Sequence, residues 1–414
     1  MNYNEHFLLN TATAKQYVID KTSIFPNTKA EDLESVELSD GNINYVYRVF
    51  NKNKSVIVKQ SDNKIRTSGR ALDVGRSQIE FKILSIERQL AGDVIPEVYD
   101  YDKNMSVIIM EDISAYKNLR SELARGKTFS ELADEVSDFL VASLLPTTDL
   151  ILDRHQKKQR VKEFVNIELC DITEDLVLTE PYYNYKGRNI FDPSLKSFVE
   201  QNLYSNSELK ANVGMLRNNF MNNAQALLHG DLHSGSIFVN HEGIKVIDPE
   251  FAFYGPMGYD IGNVIGNLIF PYIIHLEKCL ADGLPEDSFT RWIEKTIASI
   301  FDLTFIKMEA RFDEMVSFPL YRERKFKNKY LASVAADSLG FAGTEVIRRT
   351  IGDSKVSEIN AIDDDQVRNS VSRVLVKSGI NLVLNRNDYT KGSQIVQDLY
   401  DITADEVLGG VLIG

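Results

Sequence analysis

The sequence predicts an α+β protein of two lobes: a sheet-rich N-terminal lobe over residues 1–112 and a larger, mainly helical C-terminal lobe over 113–414. Three observations point there. A chain of 414 residues outgrows one ordinary small core. The first hundred residues are dense in β-branched and aromatic runs. Beyond Met110 the apolar positions fall at helical spacing, with few Gly or Pro.

Taken in order, 44–50 (NYVYRVF) and 55–60 (SVIVKQ), joined by NKNK, read as a hairpin. Ile79, Ile83, Ile86 and Leu90 recur every three or four residues and predict a helix over 76–90. Pro96 opens a pair of short strands, 97–101 and 106–110, with Asp102, Lys103 and Asn104 at the turn. Helical periodicity then runs through 122–145, 192–226 and 287–312, so the boundary falls near 111–115. No fixed-period repeat or low-complexity segment occurs.

Composition narrows the function classes. Hydrophobic residues make up 43% and charged residues 26%, the balance of a soluble globular protein. A formal charge of -13 disfavours nucleic acid as a partner, since phosphate-backbone affinity rests on clustered Lys and Arg. Cys170 and Cys279 lie outside any CxxC, which argues against a disulfide framework and fits a reducing, cytoplasmic setting. The N-terminal MNYNEHFLLN lacks the basic and apolar regions of a secretory signal. The most apolar later run, 264–276, is interrupted by Asn267, Pro271 and His275 and falls short of the ~20 residues of a membrane helix; no membrane partner is expected.

The chemistry concentrates in LLHGDLHSGSIFVNHEGIKVIDPEF, residues 227–251. His229 and His233 have HxxxH spacing, but a zinc-binding pair needs a sustained helix, and Gly230 and Gly235 work against one. The other reading is a loop, a hairpin of strands 238–240 and 244–247 turning at HEG, and acidic residues at its end. Folding the hairpin back would bring Asp231, Asp248 and Glu250 together, and converging carboxylates call for a hard cation such as Mg²⁺. Phosphoryl transfer uses such a set, with one Asp taking the acceptor proton and an acidic pair holding the metal. Protein kinases, whose sheet-then-helix architecture this chain shares, write it HRDxxxxN and DFG. Here it is His229-Gly230-Asp231, Ser236 in the Asn position, and Asp248-Pro249-Glu250.

Upstream, 39–44 (SDGNIN) is a turn with one glycine that could cover phosphates. Lys59 lies amid VIVKQ, and a lysine in a buried strand needs an anion. Glu80 on the following helix is its expected partner, by analogy with the Lys–Glu pair of kinases, with Glu87 as second candidate. The connector Glu111-Asp112-Ile113 leaves a strand and would turn backbone groups toward an adenine edge.

With HGDLHSGSIFV and VIDPEFAFYGPMGYDIGN in view, the chain resembles the aminoglycoside-phosphotransferase and choline-kinase superfamily, of protein-kinase-like fold. Within it, the chain is similar to the methylthioribose kinase family in its DPE, in Ser236, in the tract 164–183 and in Arg348-Arg349 of FAGTEVIRRTIG. The likeness runs from about residue 39 to 352. It implies ATP and 5-methylthioribose as substrates, phosphorylation at the 1-hydroxyl for methionine salvage, Mg²⁺ as cofactor and a homodimer. Asp231 would be the catalytic base and touch the sugar. Asp248 and Glu250, flanking Pro249, would hold the metal and meet ATP. Lys59 would contact the α- and β-phosphates, Asn42 would lie in the nucleotide loop, and the backbone of 111–113 would meet adenine. Arg348 and Arg349 would line the sugar pocket, while Asp260 and His229 would support the catalytic loop.

The phosphate loop is poor in glycine, and Ser236 is a shorter ligand than Asn, which leaves its metal role open. Adjacent helical residues point about 100° apart, so one arginine of the pair is expected to reach the sugar. Phe251, Phe253 and Tyr254 are candidates to line a methylthio pocket. Two alternatives stay open: a kinase of another small alcohol such as an aminoglycoside or choline, and a catalytically inactive nucleotide-binding protein.

Overall fold

The computed structural model describes residues 2–38, 44–64, 73–353 and 356–411; Asn42 and the rest of the 39–43 turn lie outside them. The chain forms two compact units, Met1–Lys117 with Phe238–Ala252, and Asn118–Ile237 with Phe253–Gly414.

The first unit is built on an antiparallel sheet of β1 (Glu34–Glu37), β2 (Tyr45–Phe50), β3 (Ser55–Gln60), β4 (Val98–Asp102) and β5 (Val107–Glu111), in the order β1-β2-β3-β5-β4. Side chains alternate across a strand. Val56 and Val58 therefore turn to one face, where they join Tyr47, Val49, Val107 and Ile109 in a core sealed by Ala14, Tyr17 and Val18 of α1 (Thr11–Lys21). Each such side chain contributes about 1.5–3 kcal/mol on burial. Lys59 falls out of step with those valines, on the side of α2 (Arg76–Ala91), which buries Glu80, Ile83, Leu84 and Glu87. Neither α1 nor β1 stands out in the sequence. TATAKQYVIDK mixes polar and small residues, and α1 owes its start to the Asn10 side chain, which accepts from the N–H groups of Ala12 and Thr13.

The segment 238–252 packs with the first unit although it follows the whole stretch Asn118–Ile237 of the second. Lys245 donates to Glu111 at 2.7 Å, and Asn44 donates to Glu250 at 3.0 Å. A boundary drawn at 112/113 divides the chain into contiguous stretches and has no means of registering such long-range pairs.

In the second unit, α3 (Leu119–Ala124) and α4 (Leu132–Leu144) divide the predicted 122–145 helix, with Gly126 at φ 70° between them. The helical reading of 192–226 also breaks up, into short turns, a helix over Ser207–Asn222 and a strand, β6 (Ala226–Leu228). The hairpin of β7 (Ile237–Asn240) and β8 (Gly243–Val246), which belongs to the first unit from Phe238 on, follows in the chain, and the second unit resumes with β9 (Phe253–Gly255), which pairs antiparallel with β6.

The unit is centred on α5 (Gly258–Ala281), with α6 (Ser288–Met315), α7 (Arg324–Ile351) and α8 (Asp365–Leu384) around it. Gly262 lets α5 and α7 touch backbone to backbone, because a Cβ there would lie 2.4 Å from the Ser338 carbonyl oxygen. Helix α5 continues through Pro271 for 24 residues, so length does not exclude a membrane span as the interrupted sequence suggested. Burial decides instead: 78% of its most apolar window is inside the protein, and Asp260, Asn263, Asn267 and Glu277 are buried along it. It is a core helix.

Candidate active site

Two groups of functional side chains form, one within each unit. In the first, Lys59 Nζ donates to Glu80 Oε1 at 2.6 Å and also pairs with the Asp248 carboxylate. Lys59 and Glu80 side chains are only 6% and 1% exposed. Burial alone would push the amine's pKa down; Asp248, Glu80 and Glu250 more than reverse this and hold it charged. The expected Lys59–Glu80 pair thus forms with Glu80, not Glu87.

Asp248 adopts a left-handed φ of 65°, a sparsely populated conformation for any residue but glycine, and leaves its side chain 50% exposed. Glu250 is directed inward. Its Oε2 accepts from Asn44 Nδ2 at 3.0 Å and lies 3.5 Å from Arg76 Nε. Arg76 and Ser61 in turn donate to Asn44 Oδ1 at 3.1 and 3.0 Å. The Pro249 carbonyl closes the turn by accepting from Ala252 N–H at 3.1 Å.

At the connector, much of the polar inventory is engaged. Glu111 N–H donates to the Glu97 carbonyl at 2.8 Å, and the Ile113 carbonyl accepts from Tyr116 at 2.8 Å. Asp112 is only 3% exposed in its side chain and pairs with Arg48 Nε at 2.5 Å. Burial would raise its carboxyl; bonds from Ser55, Arg48 and Ser114 hold it below the ordinary value instead.

In the second unit, β6 delivers the chain to His229-Gly230-Asp231. Gly230, at φ 82°, turns the backbone so that His229 and Gly230 N–H groups both donate to the Asp260 carboxylate, at 2.7 and 3.0 Å. Asp260 lies in the first turn of α5 and is buried; burial pushes its carboxyl up to about 7 against the pull of those two bonds. His229 Nδ1 accepts the Asp231 N–H at 3.3 Å, and the Ser236 hydroxyl donates to the Asp231 carbonyl at 3.0 Å. His233 Nδ1 accepts the Gly235 N–H at 3.0 Å, so its proton resides on Nε2, which faces Asp231 Oδ2 at 3.5 Å. Each imidazole thus spends its Nδ1 on its own loop, and the two do not converge as a zinc pair would.

Both arginines reach Asp231. Arg348 Nη2 and Arg349 Nη2 lie 3.9 and 4.0 Å from its Oδ1, although neighbouring helical residues point about 100° apart. The reason is Glu345. At i–3 and i–4 it sits on the helix face between them, accepting from Arg348 Nε at 2.6 Å and Arg349 Nε at 2.9 Å. Its side chain is 1% exposed, and although burial opposes ionisation, the two guanidiniums hold its carboxyl far below the usual range. Burial likewise would raise Asp231, yet His233, Arg349 and Arg348 keep it below the ordinary carboxylate value. An ionised carboxylate with 30% of its surface open, facing two fixed guanidiniums, can accept a proton from an alcohol whose developing charge those cations stabilise.

Among the described residues, no group of three or more His, Cys, Asp and Glu is arranged as a metal cage. A divalent ion that takes one or two protein carboxylates and completes its shell with phosphate oxygens and water needs no such cage. The half-exposed, hard-oxygen Asp248 with Glu250 two residues on fits that donor set.

The residues 186–274 match the model of the phosphotransferase enzyme family, a stretch holding Asp231, Asp248, Glu250 and Asp260. Over most of its length the chain is similar to proteins named methylthioribose kinase. It is 36% identical to that of Erwinia tasmaniensis, covering 85% of this chain and 88% of the relative. The Escherichia coli relative is 34% identical over 90% and 92%, and that of Geobacillus sp. 33% over 91% of each.

The chain belongs to the methylthioribose kinase family. Solved structures similar to it include a choline kinase from Cryptosporidium parvum, 13% identical with TM-score 0.49 over 97% of each chain. A spectinomycin phosphotransferase is 10% identical with TM-score 0.46, over 92% of this chain and 100% of that one. The α+β class read from the sequence holds in the fold, and the kinase activity holds within this family.

Sequence reasoning missed Glu345, Asn44 and Arg76. Glu345 had a signal: a lone acid three and four residues before two arginines on a helix otherwise apolar there. Asn44 and Arg76 had none, because their partner Glu250 is remote in sequence. Phe253 and Tyr254, suggested as methylthio lining, are core residues: Phe253 packs on Phe220 at 4.7 Å between ring centroids, and Lys157 Nζ lies over the Tyr254 ring at 4.2 Å.

Proposed function

We propose that this enzyme transfers the γ-phosphoryl group of ATP to the anomeric 1-hydroxyl of 5-methylthioribose. Asp231 accepts the hydroxyl proton as the O1–Pγ bond forms; the bond from Pγ to the β-phosphate oxygen breaks, and ADP leaves with that electron pair. Arg348 and Arg349 hold the ribose hydroxyls and stabilise the charge that develops on the transferring group. Lys59, kept charged by Glu80, binds the α- and β-phosphates. Asp248 and Glu250 would hold a Mg²⁺ ion, which supplies charge neutralisation on the nucleotide oxygens. A homodimer in the cytoplasm completes the reading.

One observation carries it: Asp231 stays ionised within 4.0 Å of two guanidiniums locked by Glu345. Two fixed cations beside the base suit a neutral polyol and repel the cationic acceptors of aminoglycoside and choline kinases. Family membership points the same way. The test is a coupled ADP-release assay with MgATP and, separately, 5-methylthioribose, choline and kanamycin. Turnover with the thiosugar and background rates with the two cations are expected; efficient phosphorylation of either cation, or ATP binding without transfer to any of the three, overturns the reading.

A further inference from the structure

A third arginine, remote in sequence from the pair, is built into the same cluster. Arg120 of α3 has its side chain 20% exposed and bonds in two directions. Toward the catalytic loop, its N–H donates to the Ser234 carbonyl at 3.1 Å and its Nε to Ser234 Oγ at 3.3 Å, while neighbouring Asn118 Nδ2 donates to the Gly235 carbonyl at 2.7 Å. Away from the loop, Nη2 donates to Asn267 Oδ1 of α5 at 3.1 Å. Asn267 Nδ2 then donates to Glu345 Oε1 at 3.0 Å, the oxygen that also receives Arg349 Nε. Glu358 Oε1, 3.9 Å from Arg120 Nε, balances the charge.

We propose that Arg120 is a positioning residue that ties the Asp231 loop to the substrate-binding arginines through an Arg120–Asn267–Glu345 relay. The chemistry of the amide makes the relay directional. A guanidinium has donors only, so the oxygen of Asn267 must face Arg120 and the NH₂ must face Glu345. The NH₂ also donates to the Asn263 carbonyl at 2.9 Å, so the amide keeps its orientation; without Arg120 its buried oxygen loses its donor and the catalytic loop loses its tie to the amide that braces Glu345. The base and the paired cations come from segments over a hundred residues apart; the relay makes them one rigid body, and misplacement of about 1 Å between reacting groups can slow a reaction roughly a hundredfold.

The proposal rests on the function above and is tested with two variants. Arg120→Met keeps the stem and removes the fork. Asn267→Asp keeps the acceptor for Arg120 but cannot donate to Glu345, so it breaks the relay at its far end and leaves the loop contacts intact. Both are expected to raise KM for 5-methylthioribose by at least about tenfold, with KM for ATP within about twofold of wild type and far-ultraviolet circular dichroism unchanged. A wild-type thiosugar KM in either variant overturns the relay, as does an equal rise in both KM values, which marks a merely structural role. Hydrogen exchange across 231–236, measured without any acceptor, keeps the two proposals separable. Faster exchange in Arg120→Met is expected whichever acceptor the enzyme uses, and unchanged exchange overturns the relay even if the wild type phosphorylates the thiosugar. Failure of the wild type to do so overturns only the assigned function.

Discussion

Glu80 accepts a hydrogen bond from Lys59 Nζ at 2.6 Å, and both side chains are closed off from solvent. Such a pair is destabilising to break from one side only. Lys59→Met should lower stability by about 3–5 kcal/mol by leaving Glu80 buried beside Asp248 without its cation. Adding Glu80→Gln should restore most of the stability and none of the activity. Urea unfolding and steady-state kinetics read the two effects separately; recovery of turnover in the double variant would show that Lys59 serves the fold alone.

Asp248 combines a left-handed backbone with a half-exposed carboxylate. Asp248→Gly relieves the left-handed strain by up to ~1 kcal/mol but takes one carboxylate from buried Lys59, so no net gain in stability is expected, while turnover falls by at least about a hundredfold. A glycine variant that keeps wild-type turnover would remove Asp248 from the phosphate-binding machinery.

Glu345 balances two guanidiniums whose side chains are each 12% exposed. Glu345→Gln should cost about 3–5 kcal/mol and weaken thiosugar binding far more than ATP binding. Calorimetric titration of each substrate checks this; equal losses for both would mean that the carboxylate supports the fold and not the arginine pair.

His233 gives the protein an acid-sensitive element. Burial lowers its pKa from 6.5 to about 4, assisted by Arg349 and Arg120 and opposed by Asp231. Because the folded value lies below the unfolded one, the unfolded chain takes up the proton first. The stabilising contribution is complete above pH 6.5 and is lost as pH falls toward 4, a span worth roughly 3 kcal/mol. His233→Gln, which keeps a donor near the Nε2 position, should flatten that part of the stability profile. Denaturant unfolding at pH 7 and at pH 4.5 measures it, and identical acid slopes in the two proteins would refute the assignment.

How much of this was legible beforehand follows from the range of each interaction. The β2–β3 hairpin, α2 and the loop-hairpin-acid order of 227–251 are local patterns, and they fold where periodicity and turn residues put them. That Lys59 needs a carboxylate was legible from its place amid valines on a strand, whereas the choice of Glu80 over Glu87 rested on analogy with the Lys–Glu pair of kinases. The joint approach of the arginine pair to Asp231 was not legible from the 100° between neighbours, because it depends on Glu345, which bonds to both side chains. Helix α5 shows the opposite failure. Its Pro271 and buried Asn residues look like interruptions, yet tertiary packing against α7 through Gly262 carries the helix past them. The Glu250–Asn44–Arg76 cluster was hidden, since 206 residues separate Asn44 from Glu250.

The role of Asp231 as the base is tested most directly by Asp231→Ala, assayed for ATP binding by calorimetry and for thiosugar phosphorylation by phosphorus NMR on the same preparation. The account expects ATP affinity within a few-fold of wild type and turnover reduced by about 10²–10⁴ or more. Phosphorylation at a near-wild-type rate in that variant would contradict it.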